Sequence, residues 1–124
     1  MNNAVRPLVL LVENDAALAD ELARNLAAHG YRVETFPDYR GALAMLESER
    51  DISLMVTALR LPQGTPHGIA LANMAVQKRP GLPVVFIACD AEAAQWIDGQ
   101  WPHVLLKPVD GAQLVATIER VLRG

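Results

Sequence analysis

Apolar positions follow two periods along this chain, one of strand type and one of helix type. Leu8 to Val12 is an unbroken apolar run of strand length, the pattern of a strand covered on both faces. Asp15 can cap the next segment, Ala16 to His29, where Leu18, Leu22 and Leu26 recur at helical spacing. Gly30 then stands where a helix ends on a left-handed residue. Tyr31 to Phe36 alternates and is rich in β-formers, which predicts a second strand. Asp38 starts a second helix through about Ser48, with Ala42, Met45 and Leu46 turned inward.

The same unit then recurs. Ile52 to Thr57 predicts a third strand. Thr65 followed by Pro66 is a cap with proline at the first helical position. That helix runs through Ile69, Leu71, Ala72, Met74 and Val76 and stops before Pro80-Gly81. Pro83 to Ala88 is the fourth strand, and a short fourth helix covers Asp90 to about Ile97. Trp101 to Leu106 contains the fifth strand, and Asp110 caps a fifth helix with Leu114, Ile118, Val121 and Leu122 on one face. Strands alternating with helices predict a doubly wound α/β domain, a parallel sheet with helices on both faces. Right-handed crossovers leave few topologies, and the flavodoxin-like order 2-1-3-4-5 is the expected one. The whole chain, 1–124, reads as one such domain.

Composition narrows the function. With 124 residues, 52% apolar and 20% charged, the chain has enough apolar material for its own core. A net charge of −3 is too mild for a steering field and argues against a nucleic-acid partner. Cys89 is the only cysteine, so no internal disulfide forms; it reads as a buried, inert thiol in a reducing, cytoplasmic setting. Met1 to Pro7 lacks the apolar segment of a signal peptide, and no stretch is long enough to span a membrane, so no membrane partner is expected.

In an open parallel sheet, chemistry sits just outside the carboxyl ends of the strands. Here that rim is Glu13 and Asn14, Ala58, Ala88 and Cys89, and Leu106-Lys107-Pro108. A nucleotide site needs glycines after the first strand so that backbone N–H groups can approach phosphate; Glu13-Asn14-Asp15-Ala16-Ala17 has none. A metal-assisted phosphoryl site needs hard oxygen ligands, a cation and an acceptor carboxylate. Glu13 offers one ligand and Lys107 the cation, but Ala58 offers no acceptor. Thr57 has a hydroxyl, yet successive strand side chains face opposite ways, so it reads as a core residue. His29, His67 and His103 lie on different elements without ligand spacing, so no metal site is expected from them.

Four blocks carry a resemblance: Leu10 to Asp15, Val56 to Pro62, Pro83 to Ala88, and Leu105 to Pro108. Together, with the right spacing, they resemble the receiver domain of response regulators, the CheY-like family of two-component signalling, over essentially the whole chain. In that family the first strand ends in two acidic residues that hold Mg²⁺; the matching residues are Glu13 and Asn14. The phosphate-accepting aspartate is matched by Ala58, and the switching serine or threonine by Ala88. The family's lysine is matched by Lys107, and the proline after it, usually preceded by a cis bond, by Pro108. Its switching aromatic is matched by Val104.

The resemblance therefore implies a degenerate receiver with no catalytic residue, a non-enzymatic interaction module. A typical site of the family carries a charge of about −2 that Mg²⁺ relieves, whereas Glu13 and Lys107 sum to about zero, so they are expected to pair and Mg²⁺ to bind weakly or not at all. The implied partners are a histidine kinase, a phosphotransfer protein or another regulator, commonly docking a histidine-bearing helix beside the first helix. A homodimer through the face of the fourth helix, fifth strand and fifth helix is a second implied contact. Trp96, Trp101 and Val104 are candidates for that face, and for the two tryptophans the competing expectation is that they plug a gap left by a short helix. With no DNA-binding segment in the sequence, direct transcription control is not expected. Two alternatives stay open: a conventional regulator with an atypical acceptor, and a ligand-binding or enzymatic flavodoxin-like domain using Lys107 and Glu13.

Overall fold

In the computed structural model, residues 6–61, 68–89, 95 and 101–124 are described. The chain order is β1 (Leu8–Val12), α1 (Ala16–Ala28), β2 (Arg32–Phe36), α2 (Tyr39–Leu46), β3 (Leu54–Ala58), α3 (Gly68–Lys78), β4 (Val84–Ala88), β5 (Val104–Leu106) and α4 (Gly111–Arg123). The five strands form one parallel sheet in the order β2-β1-β3-β4-β5. This is the doubly wound, flavodoxin-like architecture that the alternation of strand and helix patterns predicts.

Every residue of β1, β3 and β4 is buried, because these central strands are covered on both faces. Alternate side chains go to opposite layers. Leu8, Leu10, Met55 and Phe86 pack with Met45 and Leu46 of α2 and Leu71 of α3. Val9, Leu11, Val56 and Ile87 pack with Leu22 and Leu26 of α1 and Leu114 and Ile118 of α4. Each wholly buried leucine contributes about 2 kcal/mol, so two layers of them hold the sheet between its helices.

Aspartates start three of the helices. Asp15 accepts the Leu18 N–H (3.2 Å), Asp38 the Arg40 N–H (2.9 Å) and Asp110 the Gln113 N–H (2.7 Å). Gly30, with φ of +92°, closes the turn after α1 as the sequence predicts. β3 starts two residues later than the apolar run suggests and includes Ala58, so the candidate position belongs to the strand itself. The expected helix start at Thr65-Pro66 lies outside the described residues, as does the expected fourth helix apart from Gln95. The last helix, fifth in the sequence reading, is α4 of the structure.

Trp101 is a core residue, 8% exposed, with its ring edge-on to Phe86 at a centroid distance of 5.5 Å. Its expectation as an exposed contact is therefore corrected. The indole packs against Phe86 of β4 in the core layer that also holds α2 and α3. Trp96 lies outside the described residues.

Candidate functional site

The parallel register brings the strand ends to one rim. Val12 pairs with Thr57, Ala58 with Ile87, and Ala88 with Leu106. The ladder continues one step beyond each strand: Glu13 N–H donates to Phe36 O (3.0 Å), Leu59 N–H to Ile87 O (2.9 Å) and Lys107 N–H to Ala88 O (2.9 Å). These bonds fix where Glu13 and Lys107 leave the sheet. The Lys107–Pro108 peptide is cis, as the resemblance implies.

Glu13 is the one buried acid among the described residues, with its side chain wholly shielded from solvent. Its Oε2 accepts the Asp15 N–H (2.9 Å). Lys107 Nζ lies 3.4 Å from both carboxylate oxygens, and its side chain stays 30% exposed. Oε1 has no hydrogen bond; its compensation is the ammonium charge alone. The expected direct pairing of Glu13 with Lys107 is present. Asn14 faces solvent, and Asp15 is engaged as the α1 cap.

Ala58 and Ala88, 2% and 0% exposed, stand at the ends of β3 and β4, the two strands between β1 and β5. Neither carries a side-chain polar atom. Thr57, beside Ala58, is fully buried, and its hydroxyl donates to Ala58 O (3.0 Å), which occupies its proton within the strand. α3 starts hard against this point: Gly68 N–H donates to Leu59 O (2.9 Å), and a methyl at Gly68 would overlap the Ala58 carbonyl oxygen. Val104 is half-buried against the α2–α3 core layer.

Two residues on this rim were misjudged or missed from sequence. Cys89 is exposed rather than buried, because β4 ends at Ala88 and the thiol is already in the loop. Arg60, two residues beyond Ala58, donates its Nε–H to Cys89 Sγ (3.1 Å) and so links the loops after β3 and β4. The signal available was a cation and a thiol placed just beyond adjacent strand ends, which becomes meaningful only once strand order is known.

Among the described residues the rim offers one buried carboxylate, that of Glu13. A hard divalent cation needs several converging oxygens, and here one carboxylate is already held by an ammonium and a backbone N–H. Among the described residues no group of three or more His, Cys, Asp and Glu side chains converges. His29 sits at the end of α1, with Nδ1 2.9 Å from Asn25 O, and His67 lies outside the described residues. No helix among the described residues is long and apolar enough to cross a membrane.

Two clefts flank α1. One, of about 300 Å³, lies against β2 and includes Glu13, Ala19 and Phe36 in its walls. The larger, about 680 Å³, runs between α1 and the β5–α4 loop, with Leu18, Glu21, Lys107 and Val109 among its lining residues.

Comparison with known proteins agrees with this geometry. The response regulator receiver domain family matches residues 9–119. The chain is 30% identical over 121 residues to the DNA-binding transcriptional regulator NtrC of Salmonella typhimurium, covering 94% of this chain but 25% of that protein. It thus spans about a quarter of the length of the NtrC relatives it matches. It is 28% identical to the two-component response regulator ORR13 of Oryza sativa subsp. japonica, covering 94% of this chain and 95% of that one. A response regulator receiver protein from Sinorhizobium medicae superposes with a TM-score of 0.84 at 28% identity, over 96% of both chains.

Proposed function

Since the chain belongs to the response regulator receiver domain family, we propose that it is a receiver that accepts no phosphoryl group and works as a protein-interaction module in two-component signalling. The observation that carries this reading is Ala58. It closes β3 at the centre of the rim, is buried to 2%, and has only a methyl group to offer. Phosphoryl transfer to a side chain requires a nucleophilic oxygen there, and the nearest hydroxyl, Thr57, donates into its own strand.

Three other features support it. Glu13 is neutralised by Lys107, so the pocket has little charge left to hold Mg²⁺. Asn14 faces solvent with an amide in place of a carboxylate. Ala88 has no hydroxyl with which to follow a phosphoryl group, and Val104 has no ring to couple to it. In this reading the domain catalyses nothing; it presents a rigid surface to a histidine kinase, a phosphotransfer protein or another regulator. Of the fifth-strand face, the described part contributes Leu106, 43% exposed on the edge strand.

The test is intact-mass spectrometry after incubation with acetyl phosphate and Mg²⁺, and with a histidine kinase from the same cells. No phosphoryl adduct is expected under either condition. A stoichiometric adduct on any residue overturns the reading.

A further inference from the structure

We propose that the cleft between α1 and the end of β2 binds a small aliphatic dication, a diamine or a guanidino-amine. The inference goes beyond the interaction-module reading and does not depend on it.

The cleft exists because one face of α1 is built from alanines. Ala16, Ala19 and Ala23 follow at helical spacing and all three line it, so only methyl groups reach from the helix toward the end of β2. The space left is about 300 Å³, room for about ten water-sized groups. From Ala16 to Ala23 the helix rises about 10 Å, which sets the length of an extended occupant.

Strand alternation decides which polar groups share this space. Val9 and Leu11 of β1 face the α1 layer, and Glu13, two residues on and still held to the ladder through Phe36 O, turns the same way. Thr35 is the register partner of Leu11 and stands on that face too. Both line the cleft, together with the exposed Asp20 of α1.

Charge and hydrogen bonding select the ligand class. Two carboxylates and no lysine, arginine or histidine line the cleft, so its wall carries −2. The present partners of those carboxylates stand outside it and reach water: Lys107, 3.4 Å from Glu13, is 30% exposed, and Arg24, paired with Asp20, is 68% exposed. Solvated partners of this kind are held weakly and exchange for another cation. Glu13 makes the sharper demand. Its side chain is wholly buried, and Oε1 is the one buried side-chain polar atom among the described residues that accepts no hydrogen bond. A buried acceptor without a donor is costly, and a ligand N–H removes that cost. Oε1 is shielded from solvent in the free chain, so binding turns the carboxylate from Lys107 toward the cleft and releases the ammonium to water. A dication then meets Glu13 at one end and Asp20 at the other, with an aliphatic body along the alanine methyls. An anion is repelled, and a hydrated Mg²⁺ gains nothing from the methyl-lined stretch between them.

The experiment uses the full chain with agmatine as the probe, followed by amide chemical shifts. Agmatine is expected to perturb Glu13, Ala19, Asp20 and Thr35, with a Kd of about 0.1–1 mM. The Lys107 side-chain carbon signals should move toward those of a solvated lysine in the same titration. Butanediol, an uncharged chain of similar length, succinate and Mg²⁺ should leave this pattern absent. Asp20→Asn should weaken agmatine about threefold. Ala23→Leu, whose longer side chain fills the cleft, should abolish binding without lowering the Tm. A blocked glycine-arginine-glycine peptide carries the same guanidinium on a chain too bulky for the cleft, and should bind about tenfold more weakly. Equal binding of that peptide assigns the site to a partner's side chain and overturns the small-molecule proposal. The same shifts with butanediol or Mg²⁺, perturbations centred elsewhere, binding retained in Ala23→Leu, or no saturation below about 10 mM agmatine also overturns it.

Discussion

Lys107 Nζ stands 3.4 Å from both oxygens of Glu13, and the two residues come from strands that are not neighbours. Between β1 and β5 lie β3 and β4, a span of about 14 Å at ordinary strand spacing. The ion pair therefore crosses above the ends of β3 and β4, where Ala58 and Ala88 leave room for it. The small residues and the pair belong together: a larger group at either alanine would compete for the space or the charge.

This arrangement makes the pair asymmetric to mutation. Lys107→Met leaves a wholly buried carboxylate with one backbone N–H and no counter-charge, and should cost about 2 kcal/mol, below the value for a fully buried pair because the lysine is partly solvated. Glu13→Gln in the same chain removes the orphaned charge and should recover more than half of that loss. Urea denaturation of the two single variants and the double variant checks this, with a positive coupling as the expected result.

Arg79 is a second place where one side chain joins distant elements. From the end of α3 its guanidinium donates to Leu46 O (3.0 Å), Ser48 O (2.8 Å) and Arg50 O (2.6 Å), the carbonyls that α2 and its following turn leave without partners. Arg79→Met should lower stability by about 2–3 kcal/mol, since charged donors to several carbonyls are lost at once. Arg79→Lys should restore less than half, because a single ammonium cannot span the carbonyls of Met45, Leu46, Ser48 and Arg50 as the planar guanidinium does. Thermal unfolding of both variants measures the order.

The strand runs and the aspartate caps made the fold legible: Leu8–Val12 and Val84–Ala88 could be little else, and Asp15, Asp38 and Asp110 each cap the helix they precede. The rim was legible because strand ends follow from strand order. What was not legible depends on single-residue exposure. Cys89 and Ala88 are adjacent and both small, yet one is in the loop and one in the sheet, and apolar pattern does not place that boundary. Trp101 could have been plug or contact until Phe86 was found edge-on beneath it. The Arg79 clamp had no local sign in sequence at all, since its acceptors are backbone carbonyls some 30 residues away.

Tyr31 predicts a pH dependence. Burial pushes its phenol above the ordinary value of 10.0; Glu119 adds to the rise and Arg123 opposes it. The folded state thus holds the proton more tightly than the unfolded chain. Its contribution to stability is complete below about pH 10 and is lost as pH rises from there through the folded-state value. Tyr31→Phe should flatten that alkaline loss while leaving the neutral-pH dependence unchanged. Urea midpoints at several pH values from about 8 to 11 test the sign.

Ala58→Asp tests whether the rim can regain its charge. The new carboxylate would enter a position 2% exposed, over the same ammonium that already serves Glu13. Two carboxylates would then share one lysine, so the variant should be less stable than the parent by about 1–3 kcal/mol without metal. The same excess charge gives Mg²⁺ a reason to bind. Millimolar Mg²⁺ should raise the Tm of the variant and leave the parent unchanged. Exposure to acetyl phosphate should then yield an adduct on the variant alone. The adduct should not propagate, because Ala88 has no hydroxyl to be drawn toward the phosphoryl group and Val104 has no ring to follow it. Amide chemical shifts should therefore change near Ala58 and Lys107 and stay constant along β5 and α4. A shift pattern that spreads over α4 would mean that Ala58 alone was holding the domain out of an otherwise working switch.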